Sequence, residues 1–339
     1  MKAAVLETVG HPLVLRDIPV PRIAANEVLV RTQTTGICGT DLHIVDGYGY
    51  VPPLPHVLGH EPAGVIASVG SDVRGWNVGD RIVPSLFFTC GHCEYCRAGR
   101  HQQCSHLKGI LGVLVPGAMA EYFKVPAENL FRLPDSVPFD VGGLAADAVV
   151  TATRATRRSG IASSSTALVL GAGGVGLCII QLLASAGVQV IAADVRVNAL
   201  EAALQAGASR CFLAGEELAT AMAADIHEQP IACVFDCVGS TQSLGQACAL
   251  VMNGGRIVVV GEHGDRLPLT STEIAQRELE VVGSRNGTRD DIAEALRLLE
   301  AGTVRPLIAA RYPLEEANQA LQHLRAGATG RIVIQVATN

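Results

Sequence analysis

The stretch ALVLGAGGVGLCIIQLLASAGVQVIAAD, residues 167–194, decides the fold. It lies inside a run from Ser159 to Ala193 that carries no charged side chain and is long enough on paper to cross a bilayer. Gly171, Gly173, Gly174, Gly176 and Gly187 interrupt that run, and Ser163, Ser164 and Ser165 open it. The apolar pieces left over, 167–170, 175–186 and 188–193, have the lengths of a buried strand, a helix and a second strand. The stretch therefore reads as strand, tight turn, helix, strand, and not as a membrane span.

Working outward, strands alternate with helices from about residue 142 to 290. Candidate strands are 167–170, 188–194, 232–237, 256–261 and 279–283, with helix-forming sequence at 198–205 and 241–252. Such alternation implies an α/β doubly wound parallel sheet with right-handed crossovers. Before it, the first 140 residues are rich in Gly, Pro and short β-like segments such as 28–32, 63–69 and 81–84. After it come helical pieces at 292–301 and 314–324 and a last strand at 331–336, and pattern alone does not say which domain owns this tail.

Composition agrees with a two-domain globular chain: 339 residues, 49% hydrophobic and 17% charged. The net charge of −6, with no basic stripe, argues against a nucleic-acid partner. The N-terminus, MKAAVLETVG, lacks the long apolar segment of a secretory signal, so a cytoplasmic protein with reduced thiols is expected.

Three groups of residues carry chemistry. First, Gly171, Gly173, Gly174, Val175 and Gly176 form a G-x-G-x-x-G turn between a strand and a helix. There glycines let the backbone approach a pyrophosphate and the helix N-terminus meets its charge. Asp194, at the end of the second strand, is placed to accept the adenosine ribose hydroxyls and repel a 2′-phosphate, while the nearby Arg196 weakens that repulsion. NAD is the expected cofactor. Second, Cys90, Cys93, Cys96 and Cys104 are spaced C-x2-C-x2-C-x7-C, as a closed, structural zinc site requires. A ferredoxin-type cluster would place its fourth cysteine before a proline, whereas Ser105 follows Cys104. Third, Cys38 and His60 offer a thiolate and an imidazole for a catalytic zinc, which needs a third protein ligand that spacing does not identify.

Taken together, CGTDLH at 38–43, GHE at 59–61, VGDR at 78–81, the four-cysteine loop, GAGGVG and GRIVI at 330–334 resemble the zinc-dependent alcohol dehydrogenases of the medium-chain dehydrogenase/reductase superfamily. The resemblance runs end to end in the family's order. It implies a GroES-like β-barrel catalytic domain, 1–145 plus 291–339, and a Rossmann domain at 146–290. It also implies that Asp147 is the third zinc ligand, at a position where many relatives carry Cys, so that each chain holds one catalytic and one structural zinc. Glu61 then corresponds to the carboxylate beside the metal, and Asp41 to the partner that orients His60.

The mechanism the resemblance implies is hydride transfer from a zinc-bound alkoxide to NAD+. In it, Thr40 takes the alcohol proton and passes it through the nicotinamide ribose to His43. Thr151 is carried over as a contact to the nicotinamide and Arg331 as a contact to the pyrophosphate, and Cys237, Val238, Val260 and Ser284 are counted with them as cofactor contacts. The expected reaction is reversible oxidation of a primary or secondary alcohol, with a polyol or amino-alcohol dehydrogenase of the threonine 3-dehydrogenase type as the alternative. Tyr48, Tyr50, Val51, Leu86, Phe87 and Phe88 are expected to make an apolar pocket. Small-molecule alcohols or carbonyls are the expected partners, without nucleic acid or membrane, and the chain is expected to form a homotetramer or homodimer.

Overall fold

The computed structural model describes residues 1–337, leaving aside the side chains of residues 225 and 226. The chain divides into two compact units. One comprises residues 1–150, 287–302 and 308–337, the other residues 151–286 and 303–307.

The second unit is built on a six-stranded sheet, all of whose neighbours run parallel. Its order is Arg210–Leu213, Gln189–Asp194, Thr166–Leu170, Ile231–Asp236, Val251–Val259, Glu280–Gly283. All five residues of the strand Thr166–Leu170 are buried, because crossover helices cover both faces of a parallel sheet. Leu168, Ile191, Val234 and Ile257 meet in the core of this unit. The edge strand Arg210–Leu213 adds to the expected strands: it has only four residues and none of them is buried. The strand Val251–Val259 also starts earlier than expected, taking in Val251 and Met252, which the sequence reading gave to the preceding helix, and Asn253 to Gly255, which it left between the two.

Strand order reverses between Thr166–Leu170 and Ile231–Asp236, so the crevice where ligands bind such sheets opens at their C-terminal ends. There Gly171 takes φ +89°, and the helix Gly174–Ser185 begins with no side chain capping it. Its first N–H groups are therefore left to an incoming anion. The turn is drawn so tight that a Cβ on Gly176 would lie 2.0 Å from the Gly171 carbonyl oxygen.

The first unit is mainly antiparallel. The long strand Glu27–Ile37 pairs with Glu61–Val69, with Tyr122–Pro126 and with Arg331–Gln335. Beyond these lie Arg81–Pro84 and Leu130–Arg132 on one side and Ile308–Pro313 on the other. A smaller sheet joins Val14–Asp17, Lys2–Leu6 and His56–Val57. The C-terminal strand is thus part of this unit, with Ile332 opposite Ile37 and Ile334 opposite Thr35. Among the described residues no helix is long and apolar enough to cross a membrane.

Gly176→Ala is expected to force the turn apart, at a cost of about 1–3 kcal/mol. Thermal unfolding followed by circular dichroism checks this, with a midpoint lower by several degrees as the expected result.

Candidate metal centres and dinucleotide site

Cys38 follows the long central strand Glu27–Ile37 and caps the eight-residue helix Gly39–Asp46. Its Sγ accepts the Thr40 N–H at 3.4 Å, and its own N–H donates to Asp41 Oδ2 at 2.9 Å. This reciprocal cap makes the short sequence Cys-Gly-Thr-Asp fold as one unit and aims the thiol. His60 follows Gly59, whose φ is +98° and where a Cβ would lie 2.7 Å from the Met119 backbone nitrogen, so glycine alone suits the position. Asp147 follows the 3-10 turn Gly143–Ala146.

These segments bring Cys38, His60, Glu61 and Asp147 together, with one potential ligand atom from each lying within 4.8 Å of the others. Cys38 Sγ is 3.2 Å from His60 Nε2, and Asp147 Oδ2 is 3.9 Å from the same nitrogen. The other ring nitrogen, Nδ1, faces Asp41 Oδ1 at 3.4 Å, so the imidazole offers Nε2 to a metal and turns Nδ1 to an orienting carboxylate. His60, Glu61 and Asp41 are buried, and His60 Nδ1, Asp41 Oδ1 and both Glu61 carboxylate oxygens lack an aligned hydrogen bond. Burial pushes the Glu61 carboxyl up to about 8 against the pull of Arg331. At His60 burial favours the neutral ring, but Asp41 and Cys38 outweigh it and raise its pKa. A buried thiol, an imidazole and two carboxylates converging on one point suit a divalent cation, and the mixed S, N, O set suits zinc.

Arg331, carried over as a pyrophosphate contact, is 8% exposed and places Nη2 3.1 Å from Glu61 Oε1 and 3.2 Å from Asp147 Oδ2. Its charge stands against the two carboxylates of the cluster. Thr40 and His43 lie three residues apart on the helix Gly39–Asp46 and so share a face. The His43 ring packs edge-on against Tyr48, with centroids 5.0 Å apart.

In the second cluster the sulfurs of Cys93 and Cys96 are 3.5 Å apart, those of Cys90 and Cys104 3.6 Å, and the pairs Cys90–Cys96 and Cys93–Cys104 3.9 Å. A tetrahedron of zinc–sulfur bonds has edges of about 3.8 Å, so the four thiols already describe its corners. Backbone N–H groups point at the sulfurs, Cys93 to Cys90 at 3.4 Å and Cys96 to Cys93 at 3.5 Å. The Cys96 N–H draws the Cys93 thiol down to about 5, while burial pushes Cys96 up to about 11. No disulfide joins any of the ten cysteines, all of which lie among the described residues.

At the sheet crevice Asp194 is 5% exposed and accepts the Ala172 N–H at 2.8 Å, which ties the end of one strand to the glycine turn of the next. Val238 and Cys237 pack beside Gly171, and Thr151 and Ser284 are buried in the same unit. Burial pushes the Cys237 thiol far above its usual range. Asp236 belongs to none of the motifs read from the sequence. Fully buried at the end of the strand Ile231–Asp236, it accepts N–H groups from Val238 at 2.9 Å and Gly239 at 3.0 Å and the Ser243 hydroxyl at 3.0 Å. It thereby sets the loop next to the glycine turn. Its one signal in the sequence is an acid closing a buried strand just before Cys-Val-Gly-Ser.

The expected apolar pocket is redistributed. Leu86 and Phe87 are 3% and 4% exposed and belong to the core. Phe88 lines a cavity of about 600 Å³ with Val5, Ile18, Val57 and Phe123, none of them a candidate metal ligand. Tyr48 and Val51 are exposed.

Two family models match this chain: an alcohol dehydrogenase GroES-like domain over residues 24–135 and a zinc-binding dehydrogenase domain over residues 174–301. An alcohol dehydrogenase of Geobacillus stearothermophilus is 32% identical over 99% of this chain and 100% of its own length. The chain belongs to the zinc-dependent alcohol dehydrogenase family. It is accordingly an oxidoreductase with a GroES-like domain and a Rossmann domain. An NAD-dependent alcohol dehydrogenase of Sulfurisphaera tokodaii is 34% identical over 98% of this chain and 99% of its own. Among solved structures, the alcohol dehydrogenase of Aeropyrum pernix superposes with a TM-score of 0.93 at 29% identity, covering 99% of this chain and 100% of that one.

For this zinc-dependent dehydrogenase, Cys104→Ser is expected to remove one zinc per chain and to lower the thermal midpoint. Metal analysis by mass spectrometry, paired with an unfolding curve, checks both.

Proposed function

We propose that the chain oxidises an uncharged primary or secondary alcohol to its carbonyl, reversibly, with NAD+ as hydride acceptor and two zinc ions per chain. The observation that carries this reading is the convergence of Cys38 Sγ, His60 Nε2 and an Asp147 oxygen, with Glu61 beside them and Asp41 behind the imidazole. Three protein ligands with a further carboxylate nearby leave a position for substrate, which distinguishes this cluster from the four-thiol one. Zinc held by Cys38, His60 and Asp147 would lower the pKa of a bound hydroxyl into the neutral range. Thr40, whose amide is tied to Cys38 Sγ, relays the substrate's proton through its hydroxyl. One turn along stands the half-buried His43, and an imidazole is the side chain suited to exchanging a proton with solvent at neutral pH. Thr40 and His43 supply proton movement, while Asp41 holds His60 and Arg331 balances Glu61 and Asp147.

Gly173, Gly174, Val175 and Gly176 offer backbone N–H groups to a pyrophosphate, Gly171 makes the turn that presents them, and Asp194 stands where an adenosine ribose is read. Cys237, Val238, Val260, Ser284 and Thr151 complete the candidate cofactor contacts. The absence of any Lys or Arg between Arg31 and Arg74, the segment bearing Cys38, Thr40, His43 and Tyr48 to Val51, favours an uncharged substrate over a threonine-like amino acid, whose carboxylate needs a cation. Assembly as a homodimer or homotetramer and a cytoplasmic location belong to the same reading, and ten thiols outside disulfides suit a reducing compartment.

The deciding experiment follows nicotinamide absorbance with NAD+ across primary, secondary, aromatic, polyol and amino-acid alcohols. Turnover of simple alcohols is expected. Silence on them, with two zincs per chain verified, overturns the uncharged-alcohol reading. Cys38→Ser is expected to retain one zinc and lose turnover, and an active Cys38→Ser protein would sink the mechanism. Asp41→Asn is expected to weaken zinc binding about 10- to 100-fold, read by competition with a chelator.

A further inference from the structure

His43, the outer end of the proposed proton relay, has two charged side chains at its end of the helix that belong to none of the motifs read from the sequence. It lies in the last turn of the helix Gly39–Asp46, and Asp46 follows three residues on, along the same face. The His43 carbonyl accepts the Tyr48 N–H at 2.7 Å, and the His43 ring stands edge-on to the Tyr48 ring. Asp46 is gripped from the far end of the sequence. Arg325, the last residue of the helix Ala317–Arg325, donates Nη1–H to Oδ2 at 2.9 Å and Nη2–H to Oδ1 at 2.7 Å. This two-pronged fork is the geometry in which a guanidinium meets a carboxylate best, and it pins the end of the relay helix to a second helix.

Charge reaches His43 with two signs. Arg325 foremost, with His43 adding to it, holds the Asp46 carboxyl below the usual carboxylate range. Coupling between two binding sites, here for protons, is mutual, so the Asp46 carboxylate favours the protonated His43 ring. The negative end of the helix, in whose last turn the ring lies, does the same. The Arg325 guanidinium, standing on that carboxylate, opposes both. Other ionisable groups on the helix and on the segments packed against it are turned elsewhere. Asp41 accepts the Cys38 N–H and faces His60. His323, on the helix of Arg325, meets the Tyr312 hydroxyl at 3.1 Å. His11, next to the Gly10 N–H that donates to the Val45 carbonyl, meets the Val9 carbonyl at 3.1 Å.

We propose that Asp46 and Arg325 are positioning residues for the relay: they anchor the helix that carries Thr40 and His43 and set the pH range in which His43 passes its proton to solvent. This rests on the relay reading given above. Asp46 alone would keep the ring cationic further into the neutral range, where it cannot accept a proton from the substrate. Arg325 alone would make the ring a weaker base. The neutral pair leaves His43 between the two, where a group exchanging protons near neutral pH works best.

The test follows the His43 ring by NMR in the zinc-replete protein at low ionic strength, with carbon-13-labelled histidine and the signal assigned by its loss in His43→Gln. The pH profile of kcat/KM for an alcohol that the natural chain turns over is recorded alongside. Asp46→Asn is expected to lower the His43 titration midpoint by about 0.2–0.5 pH unit, and Arg325→Gln to raise it by as much. Because the neutral ring accepts the proton, the ascending limb of kcat/KM is expected to move to lower pH in the first variant and to higher pH in the second. Arg325→Lys, which keeps the charge and loses the fork, is expected to stay near the natural midpoint. Midpoints that stay put in both charge variants overturn the tuning and leave the relay standing. So do midpoints that move in one direction in both, as loosening of the helix alone would make them. A His43→Gln protein with natural turnover at every pH overturns the relay and the tuning with it. Should one charge variant not fold, the sign of the shift in the other decides.

Discussion

The candidate catalytic centre depends on the pairing of one strand. Glu27–Ile37 runs antiparallel to Glu61–Val69 with Gly36 opposite Glu61, and antiparallel to Arg331–Gln335 with Ile37 opposite Ile332. That register places the end of the strand, where Cys38 begins its helix, beside the start of a second strand that opens at Glu61, just after His60, and the start of a third that opens at Arg331. A slip of one residue on either side would turn the Glu61 and Arg331 side chains to the opposite face of the sheet. Gly36 belongs to the same constraint: a Cβ there would stand 2.6 Å from Glu61 Oε2, so the absence of a side chain makes room for the carboxylate.

Buried charge in this centre is managed by opposition. Glu61, Asp41 and Asp147 gather around His60 and Cys38, and Arg331 stands on Glu61 and Asp147. Isolated charges are costly to bury and persist when paired or bound to a metal. The arrangement therefore reads as one electrostatic unit, in which the Arg331 guanidinium and a cation in the proposed site would share the negative side chains between them. An aspartate at 147 fits that unit, its Oδ2 standing 3.9 Å from His60 Nε2 and 3.2 Å from Arg331 Nη2.

The two cofactor-related turns follow a different logic, one of backbone hydrogen bonds over short spans. The glycine turn is held by Gly171 N–H to the Ala193 carbonyl at 2.8 Å and by Ala172 N–H to Asp194 at 2.8 Å. Asp236 performs the same service for the loop at 237–240. Buried acids at the C-terminal ends of parallel strands thus shape the crevice before any ligand contact is considered.

What the sequence by itself determined is what lies close together along the chain. The four-cysteine loop, the glycine turn with its flanking strand and helix, and the Cys-Gly-Thr-Asp cap are local, and their geometry follows from spacing and backbone hydrogen bonds over a few residues. For the same reason the resemblance carried by these motifs led to the correct family. The tertiary structure decided what spacing cannot express. It brought Asp147 and Arg331 to the Cys38–His60 pair, sent Leu86 and Phe87 into the core, and closed Arg196 onto Asp194. It also showed the short edge strand Arg210–Leu213, whose four residues, exposed at the ends and partly buried between, are too few to carry a periodic signal. The physical reason is that contacts between distant residues are set by strand register and the packing of whole elements, quantities that belong to the assembled sheet and not to any one stretch of chain.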